Sequence, residues 1–213
     1  MTDAAPARPV AGIVLAAGSS RRMPGPGKLL RAWGGTSVVG AVIGTATAAG
    51  LAPVLVVTGH DADAVLRASG RDDVLFVHHR GWARGRAGSL GAGLARLAPL
   101  REVGAAVVLL GDEPEVSTGA VARVVAEWRE RGTVLVRVRY RDRPGHPVLL
   151  DRRTWEAARA LHGDAGTWER LVAAGIRGVE LAVDSPAPID VDGPADLAAA
   201  RARHLGAGPE TGS

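Results

Sequence analysis

The sequence predicts an α/β domain built on one mainly parallel sheet with helices on both faces. Three observations carry this. Short runs rich in β-branched residues are apolar throughout rather than alternating, which marks strands covered on both sides. Alanine-rich stretches of helical length separate these runs, and strand–helix repetition makes neighbouring strands parallel. Finally, the polar motifs begin where the apolar runs end.

The elements follow in order. "VAGIVLAA" (10–17) is the first buried strand. The window from Thr36 to Gly59 carries no charge and is long enough to cross a bilayer. Its internal glycines and threonines and the break "GLAP" (50–53) instead make it a helix over 36–49, a turn, and the strand "PVLVVTG" (53–59). A helix over 61–69, a buried strand "VLFVH" (74–78) and a helix over 88–98 come next. The strand "AAVVLLGD" (105–112) precedes a helix over 117–131. "TVLVRVRYR" (133–141) and "HPVLL" (146–150) form a hairpin-like pair, because Arg137, Arg139 and Arg141 alternate with apolar residues. Helices over 151–161 and 166–174, a strand over 177–183 and a closing helix over 193–205 complete a single Rossmann-like domain, residues 10–205. The segments 1–9 and 206–213 read as loose tails. In such a sheet, ligands bind beyond the carboxyl ends of the strands, where the strand order reverses.

Composition bounds the chemistry. A chain of 213 residues, 46% hydrophobic and 23% charged, is long enough for one substantial core and reads as a soluble globular protein. Cysteine is absent, which excludes a disulfide framework, a thiolate metal site and a cysteine nucleophile, and accords with the cytoplasm. "MTDAAPARP" lacks the apolar core of a signal peptide. The net charge of +4 is modest and the basic residues are scattered, so neither nucleic acid nor a membrane is an expected partner. The choice of base is more telling: twenty-five of the 26 basic residues are arginine, and the one lysine is Lys28. A compact ammonium on a flexible stem suits reaching between phosphate oxygens.

Five motifs carry the functional reading. "LAAGSSRRMPGPGK" (15–28) follows the first strand, with backbone N–H groups able to converge on an anion and Arg21, Arg22 and Lys28 adding positive charge. It is not a G-x-x-x-x-G-K-S/T loop, since Arg22 stands at the first glycine and Leu29 follows the lysine; nor is it G-x-G-x-x-G. A surface turn with incidental arginines is the plain alternative. "VVLLGDEPEVS" (107–117) puts Asp112 at the sheet's carboxyl edge, as a metal ligand or a turn or N-cap residue. "APIDVDGPADL" (187–197) sets an aspartate before G-P-A-D, which reads as a helix start. "HHRGWARGRAGSLGAGL" (78–94) opens a helix with glycine and serine, which suits approach of a base or phosphate; His78 and His79 read as loop residues. "RDRPGHPVLL" (141–150) offers His146, either as a ligand-binding group or as a satisfied histidine at a strand start.

Together these motifs resemble the MobA-like nucleotidyltransferases over about residues 10 to 200, and within them the molybdenum cofactor cytidylyltransferases. The loop resembles L-A-A-G-x-S-x-R-M-G-x-x-K, the second motif G-D-Q-P, the third D-I/V-D-T-P-E-D-L, the fourth N-x-x-W-x-x-G-M-x-S-S-L-x-x-G-L and the fifth G-x-x-G-H-P-V-L-F. The resemblance implies a nucleotide-diphospho-sugar transferase-like fold. It implies nucleotide binding by Leu15, Ala16, Ala17, Gly18, Arg22, Lys28 and Ser89, and catalytic roles for Lys28, Arg22 and Asp112. It implies Mg2+ on Asp112 and Asp192, with Asp190 the lesser candidate for the second ligand, and an acceptor held by His146 and Pro147. Ala17 stands where the related guanylyltransferases carry glycine, which points to CTP. The implied reaction transfers CMP from CTP to molybdopterin cofactor and releases pyrophosphate, with a molybdoenzyme or its maturation chaperone as downstream partner.

Departures from the pattern are specific. Four residues, not three, separate Met23 from Lys28, so the loop is expected to bulge through "PGPG". Glu113 replaces glutamine and is expected either to turn outward or to alter nucleotide affinity. Arg86 replaces methionine, Gly88 the first serine, and Gly193 a threonine that would cap the following helix. "GDAGT" (163–167) resembles G-D-x-G-A-R, with Thr167 and Trp168 in place of alanine and arginine. Three other readings stay open: transfer to a sugar phosphate, an NAD(P)H-dependent oxidoreductase of the nicotine blue oxidoreductase type on the same fold, and a non-catalytic nucleotide-binding protein.

Overall fold

The computed structural model describes residues 8–206 except Arg21, Pro24, Pro26, Asp164 and Ala165. The expected tails therefore lie almost wholly outside the described residues, as do Arg21 and Asp164. In chain order the strands are β1 (Val10–Ala16), β2 (Ala32–Trp33), β3 (Thr36–Ser37), β4 (Val54–Thr58), β5 (Leu75–His78), β6 (Ala105–Leu110), β7 (Leu135–Arg139), β8 (Pro144–Asp151) and β9 (Val179–Ala182). The helices are α1 (Val38–Ala48), α2 (Ala62–Ser69), α3 (Arg86–Leu97), α4 (Thr118–Arg131), α5 (Trp155–Arg159), α6 (Thr167–Ala173) and α7 (Pro194–Gly206).

Seven strands form one sheet in the order β5-β4-β1-β6-β8-β7-β9, and only β8 runs against the rest. The chain adds β4 and β5 on one side of β1 and then crosses to place β6 on the other. The order thus reverses between β1 and β6, whose last paired residues are Leu15 and Leu110. This is where a doubly wound sheet leaves a crevice.

Alternation along the strands divides the core between the two faces. Val14, Val56, Val107 and Leu109 meet Val39, Val42 and Ile43 of α1 and Val121 and Val124 of α4. Ile13, Leu55, Val57 and Val108 meet Leu90, Leu94 and Leu97 of α3, with Trp155 and Leu171 from α5 and α6. A third cluster joins Met23, Trp33 and Val38 to Val191, Leu197 and Ala200, and so anchors both the glycine-rich loop and α7.

The uncharged window at 36–59 resolves into β3, α1 and β4, and among the described residues no helix is long and apolar enough to cross a membrane. The expected hairpin-like pair is β7–β8, with a register shift between Arg137 and Val138. One strand differs from expectation. β5 is the sheet edge rather than a buried strand: Leu75 is 39% exposed and His78 is exposed. Among the described residues no strand pairs beyond it, while Phe76 and Val77 still pack against the two core clusters. The β2–β3 hairpin is an addition, since two-residue strands carry no periodicity to read.

Candidate active site

The glycine-rich segment after β1 folds back so that Lys28 begins a short 3-10 turn (Lys28–Leu30). Ser20 Oγ accepts a hydrogen bond from the Lys28 backbone N–H at 2.8 Å, and Met23 is buried beneath the loop. Of the expected bulge "PGPG", Pro24 and Pro26 lie outside the described residues. The Lys28 ammonium donates to Asp112 and, at 2.8 Å, to Asp192 Oδ1. Arg22 donates to the other oxygen of Asp192 at 2.6 Å, from an exposed position. The sole lysine and two carboxylates that lie 84 and 164 residues away along the chain therefore meet at the crevice between β1 and β6.

Backbone pairing holds the two aspartates side by side. The Val191 N–H donates to the Asp112 carbonyl at 3.0 Å, which lays the 187–192 segment along the end of β6. Glu115 clamps the same segment: it accepts from the Ile189 N–H at 2.9 Å and from Arg203 of α7 at 3.0 and 2.9 Å. Neither aspartate is occupied as a helix cap. Ser117 caps α4, and Asp196 accepts the backbone N–H groups of Asp192 and Gly193, filling the gap left where threonine is replaced by Gly193. Burial pulls the Lys28 ammonium down, but Asp112 and then Asp192 outweigh it, so its pKa is raised. Burial pushes Asp192 up, and Lys28 and Arg22 more than offset it, so its carboxyl sits below the ordinary value.

Two adjoining cavities open at this rim. The first, about 380 Å³, is lined by Leu15, Ala16, Ala17, Gly18, Arg22, Lys28, Arg86, Asp112 and Asp192, among others. Thus all the sequence-expected nucleotide residues except Ser89 stand around one space. Ser89 is 4% exposed within α3 and lines neither cavity; Arg86, one turn earlier, lines both. Two glycines are sterically required nearby. A Cβ on Gly59 would lie 2.5 Å from the Ala17 carbonyl and 2.6 Å from Trp82 Cβ. Gly85 begins α3 at φ 112° with its Cα face against the Gly163 backbone.

The second cavity, about 220 Å³, has apolar walls from Leu15, Leu90, Val108, Val148 and Leu150, with Trp168 beside them. Its polar groups are Arg86, Arg137, Arg143, Glu113, His146, Glu169 and Asp190. His146 thus faces a cavity; Pro147 does not line it. The Tyr140 hydroxyl donates to the His146 carbonyl at 2.7 Å. Burial, with Arg86 nearby, lowers the His146 imidazole to about 4. Arg137 lies 4.3 Å over the Trp168 ring and pairs with Glu169 and Glu180. A guanidinium thus stands beside the tryptophan that replaces the pattern's arginine.

Glu113 does not turn outward. Its residue is only 3% exposed, and its Oε2 has no hydrogen-bond partner. Burial first, then the charges of Asp190 and Asp112, hold its carboxyl well above the ordinary range. Asp190, the weaker of the two metal candidates at 187–192, lies 3.6 Å from Arg143 and lines both cavities. Sequence reasoning passed over Arg86 and Arg143 as cavity residues, because their surroundings come from distant strands.

A family model described as the MobA-like NTP transferase domain matches residues 12–179. The chain belongs to that family. Among solved structures, Rv0371c of Mycobacterium tuberculosis superposes with a TM-score of 0.83 at 34% identity, covering 92% of this chain and 98% of that one. Its complex with manganese gives 0.78 at 31% identity, over 91% and 98% of the two chains. Nicotine blue oxidoreductase of Paenarthrobacter nicotinovorans is 28% identical over 74% of this chain and 78% of its own length. The bifunctional protein GlmU of Stutzerimonas stutzeri is 29% identical over 78% of this chain, which spans 36% of that protein's length.

Proposed function

We propose that this MobA-like protein is a divalent-metal-dependent cytidylyltransferase that moves CMP from CTP to the terminal phosphate of a molybdopterin-type acceptor. The observation that carries the proposal is the meeting of Lys28, Asp112 and Asp192 at the crevice between β1 and β6.

Among the described residues there is no cluster of three or more His, Cys, Asp or Glu side chains to enclose a metal. Two carboxylates and no nitrogen or sulfur donor suit Mg2+, which takes one or two protein oxygens and completes its shell with water and phosphate. Asp112 and Asp192 are the holders in this reading, and their shared contact with the Lys28 ammonium supports it. Bound there, the ion would neutralise triphosphate charge and polarise the α-phosphate.

The chain's own groups supply the rest. A phosphate acceptor is already an anionic nucleophile at neutral pH, so no general-base triad is needed. Its oxygen attacks the α-phosphorus, the bond to the β-phosphate oxygen breaks, and pyrophosphate leaves. Lys28 and Arg22 offer positive charge to the departing pyrophosphate, and the glycine-rich loop offers backbone N–H groups. The second cavity, which shares Leu15, Leu110, Arg86 and Asp190 with the first, receives the acceptor. Ala17, on the wall of the first cavity, supports CTP over GTP.

The test is pyrophosphate release from each NTP in the presence of molybdopterin cofactor, with CTP expected to exceed GTP. A second reading is favoured by the match to nicotine blue oxidoreductase. Oxidation of NAD(P)H by the purified chain with a dye acceptor, and no pyrophosphate release with any NTP, would replace the transferase reading with that one.

A further inference from the structure

We infer that the outer edge of β5 is a self-pairing surface, to which a second copy of this chain adds its own β5, antiparallel, across a twofold axis. The inference is independent of the transferase reading. β5 ends the seven-strand sheet, and among the described residues β4 is its one partner strand. Sheet edges are ordinarily blunted by charged side chains, proline or a bulge. Leu75, Phe76 and Val77 put neither a charge nor a proline at the centre of this one, and Leu75 is 39% exposed.

The backbone sets which residues can meet. The His79 N–H donates to the Thr58 carbonyl at 2.8 Å, so Leu75, Val77 and His79 turn their backbone groups towards β4. Val74, Phe76 and His78 therefore turn theirs outward. Outward groups pair only with outward groups, which limits an antiparallel twofold pairing to registers two residues apart. One of these sets Phe76 against Phe76 of the second copy, Val74 against His78 and Leu75 against Val77. It forms about six inter-strand hydrogen bonds and covers the exposed Leu75 with an aliphatic side chain.

The charges choose this register and this partner. Asp72 and Asp73 precede the strand, and His79 and Arg80 follow it. Carried past the strand ends, the register lays Asp72 beside Arg80 of the second copy, once at each end of the interface, and both residues are exposed. Asp73 is already held by Arg71 of its own chain at 2.5 Å, which leaves Asp72 as the acid for the partner. The two neighbouring registers set Arg71 against His79, or Arg80 against Val74. A strand with acid at one end and base at the other complements itself when antiparallel, and the twofold repeats the contact. A second copy is therefore the occupant, rather than an unrelated strand.

Sedimentation velocity of the full chain from about 1 to about 500 µM tests this, with thermal melting to establish that each variant is folded. Asp72, Leu75 and Arg80 are all exposed, so their substitution leaves the core untouched. Wild type is expected to populate a dimer in that range. R80D sets acid against acid and should weaken the dimer by about tenfold or more, and the charge-swapped D72R/R80D should recover most of that loss. L75K puts a charge at the centre of the edge and should abolish the dimer. A wild type that stays monomeric throughout, a dimer indifferent to R80D or to L75K, or a defect in R80D that the swap leaves unrepaired would overturn the inference.

Discussion

Lys28 Nζ lies 2.8 Å from Asp192 Oδ1, although 164 residues separate the two along the chain. The same ammonium bonds Asp112, so it stands where two carboxylates converge, with Arg22 on the far oxygen of Asp192. A divalent ion taken up by the same oxygens must compete with it. Removing the amine therefore has two opposite consequences. Lys28→Ala is expected to bind Mn2+ about tenfold more tightly than wild type in the absence of nucleotide, by electron paramagnetic resonance titration. The same variant is expected to lose about a hundredfold or more in turnover, because the charge that meets the leaving pyrophosphate is gone. Weaker Mn2+ binding by the variant would contradict this account of the site.

Gly59 ends up beneath Trp82 with no room for a methyl group. Because the clashing atoms are a backbone carbonyl and the root of a tryptophan side chain, neither can swing aside. Gly59→Ala should destabilise the fold by about 1–3 kcal/mol and push the Ala17 backbone into the nucleotide cavity. Chemical denaturation and CTP titration read the two effects; an unchanged midpoint with unchanged affinity would show that the contact is not as tight as described.

Glu115 lines neither of the two cavities and yet governs where Asp192 sits, by holding Ile189 and Arg203 together. Glu115→Ala should cost about 1.5–3 kcal/mol through the lost charge-assisted hydrogen bonds. It should also weaken Mn2+–CTP binding, while Glu115→Gln, which keeps the acceptor for Ile189, restores part of it. Equal metal affinity in Glu115→Ala and wild type would separate the clamp from the site.

The imidazole of His146 is lowered to about 4, chiefly by burial, with Arg86, Arg143 and Arg137 lowering it further and Asp190 opposing them. In the unfolded chain it takes up a proton near its ordinary value of 6.5. Between about 6.5 and about 4 the unfolded state therefore binds more protons, and stability falls as the pH falls. A denaturation series across that range should show this slope, and His146→Gln should flatten it. A variant whose slope equals that of wild type would mean that His146 is protonated in the folded protein.

Much of this was legible in the sequence because of where the informative residues stand. β1, β4 and β6 are buried on both faces, so their uninterrupted apolar runs announced them, and Asp112 comes just after the last of these runs. Lys28 was conspicuous for its rarity. By contrast, β5 has the same kind of run but lies at the sheet edge, and only the strand order determines that. The environment of Glu113 was equally hidden. The nearby charge of Asp190 comes from a segment 77 residues further along the chain, laid beside it by the Val191–Asp112 backbone bond. Ser89 was expected at the nucleotide because it opens a helix, but the helix begins at Arg86, which turns the serine into the core.

The central claim is that Asp112 and Asp192 hold a divalent ion on a cytidine triphosphate at the crevice beyond β1 and β6. Calorimetric titration of CTP, with and without Mg2+, on wild type, Asp112→Asn and Asp192→Asn tests it most directly. The account predicts tight binding only for wild type with Mg2+, and binding weakened at least tenfold in both variants. Binding of CTP that is indifferent to Mg2+ and to both substitutions would contradict it.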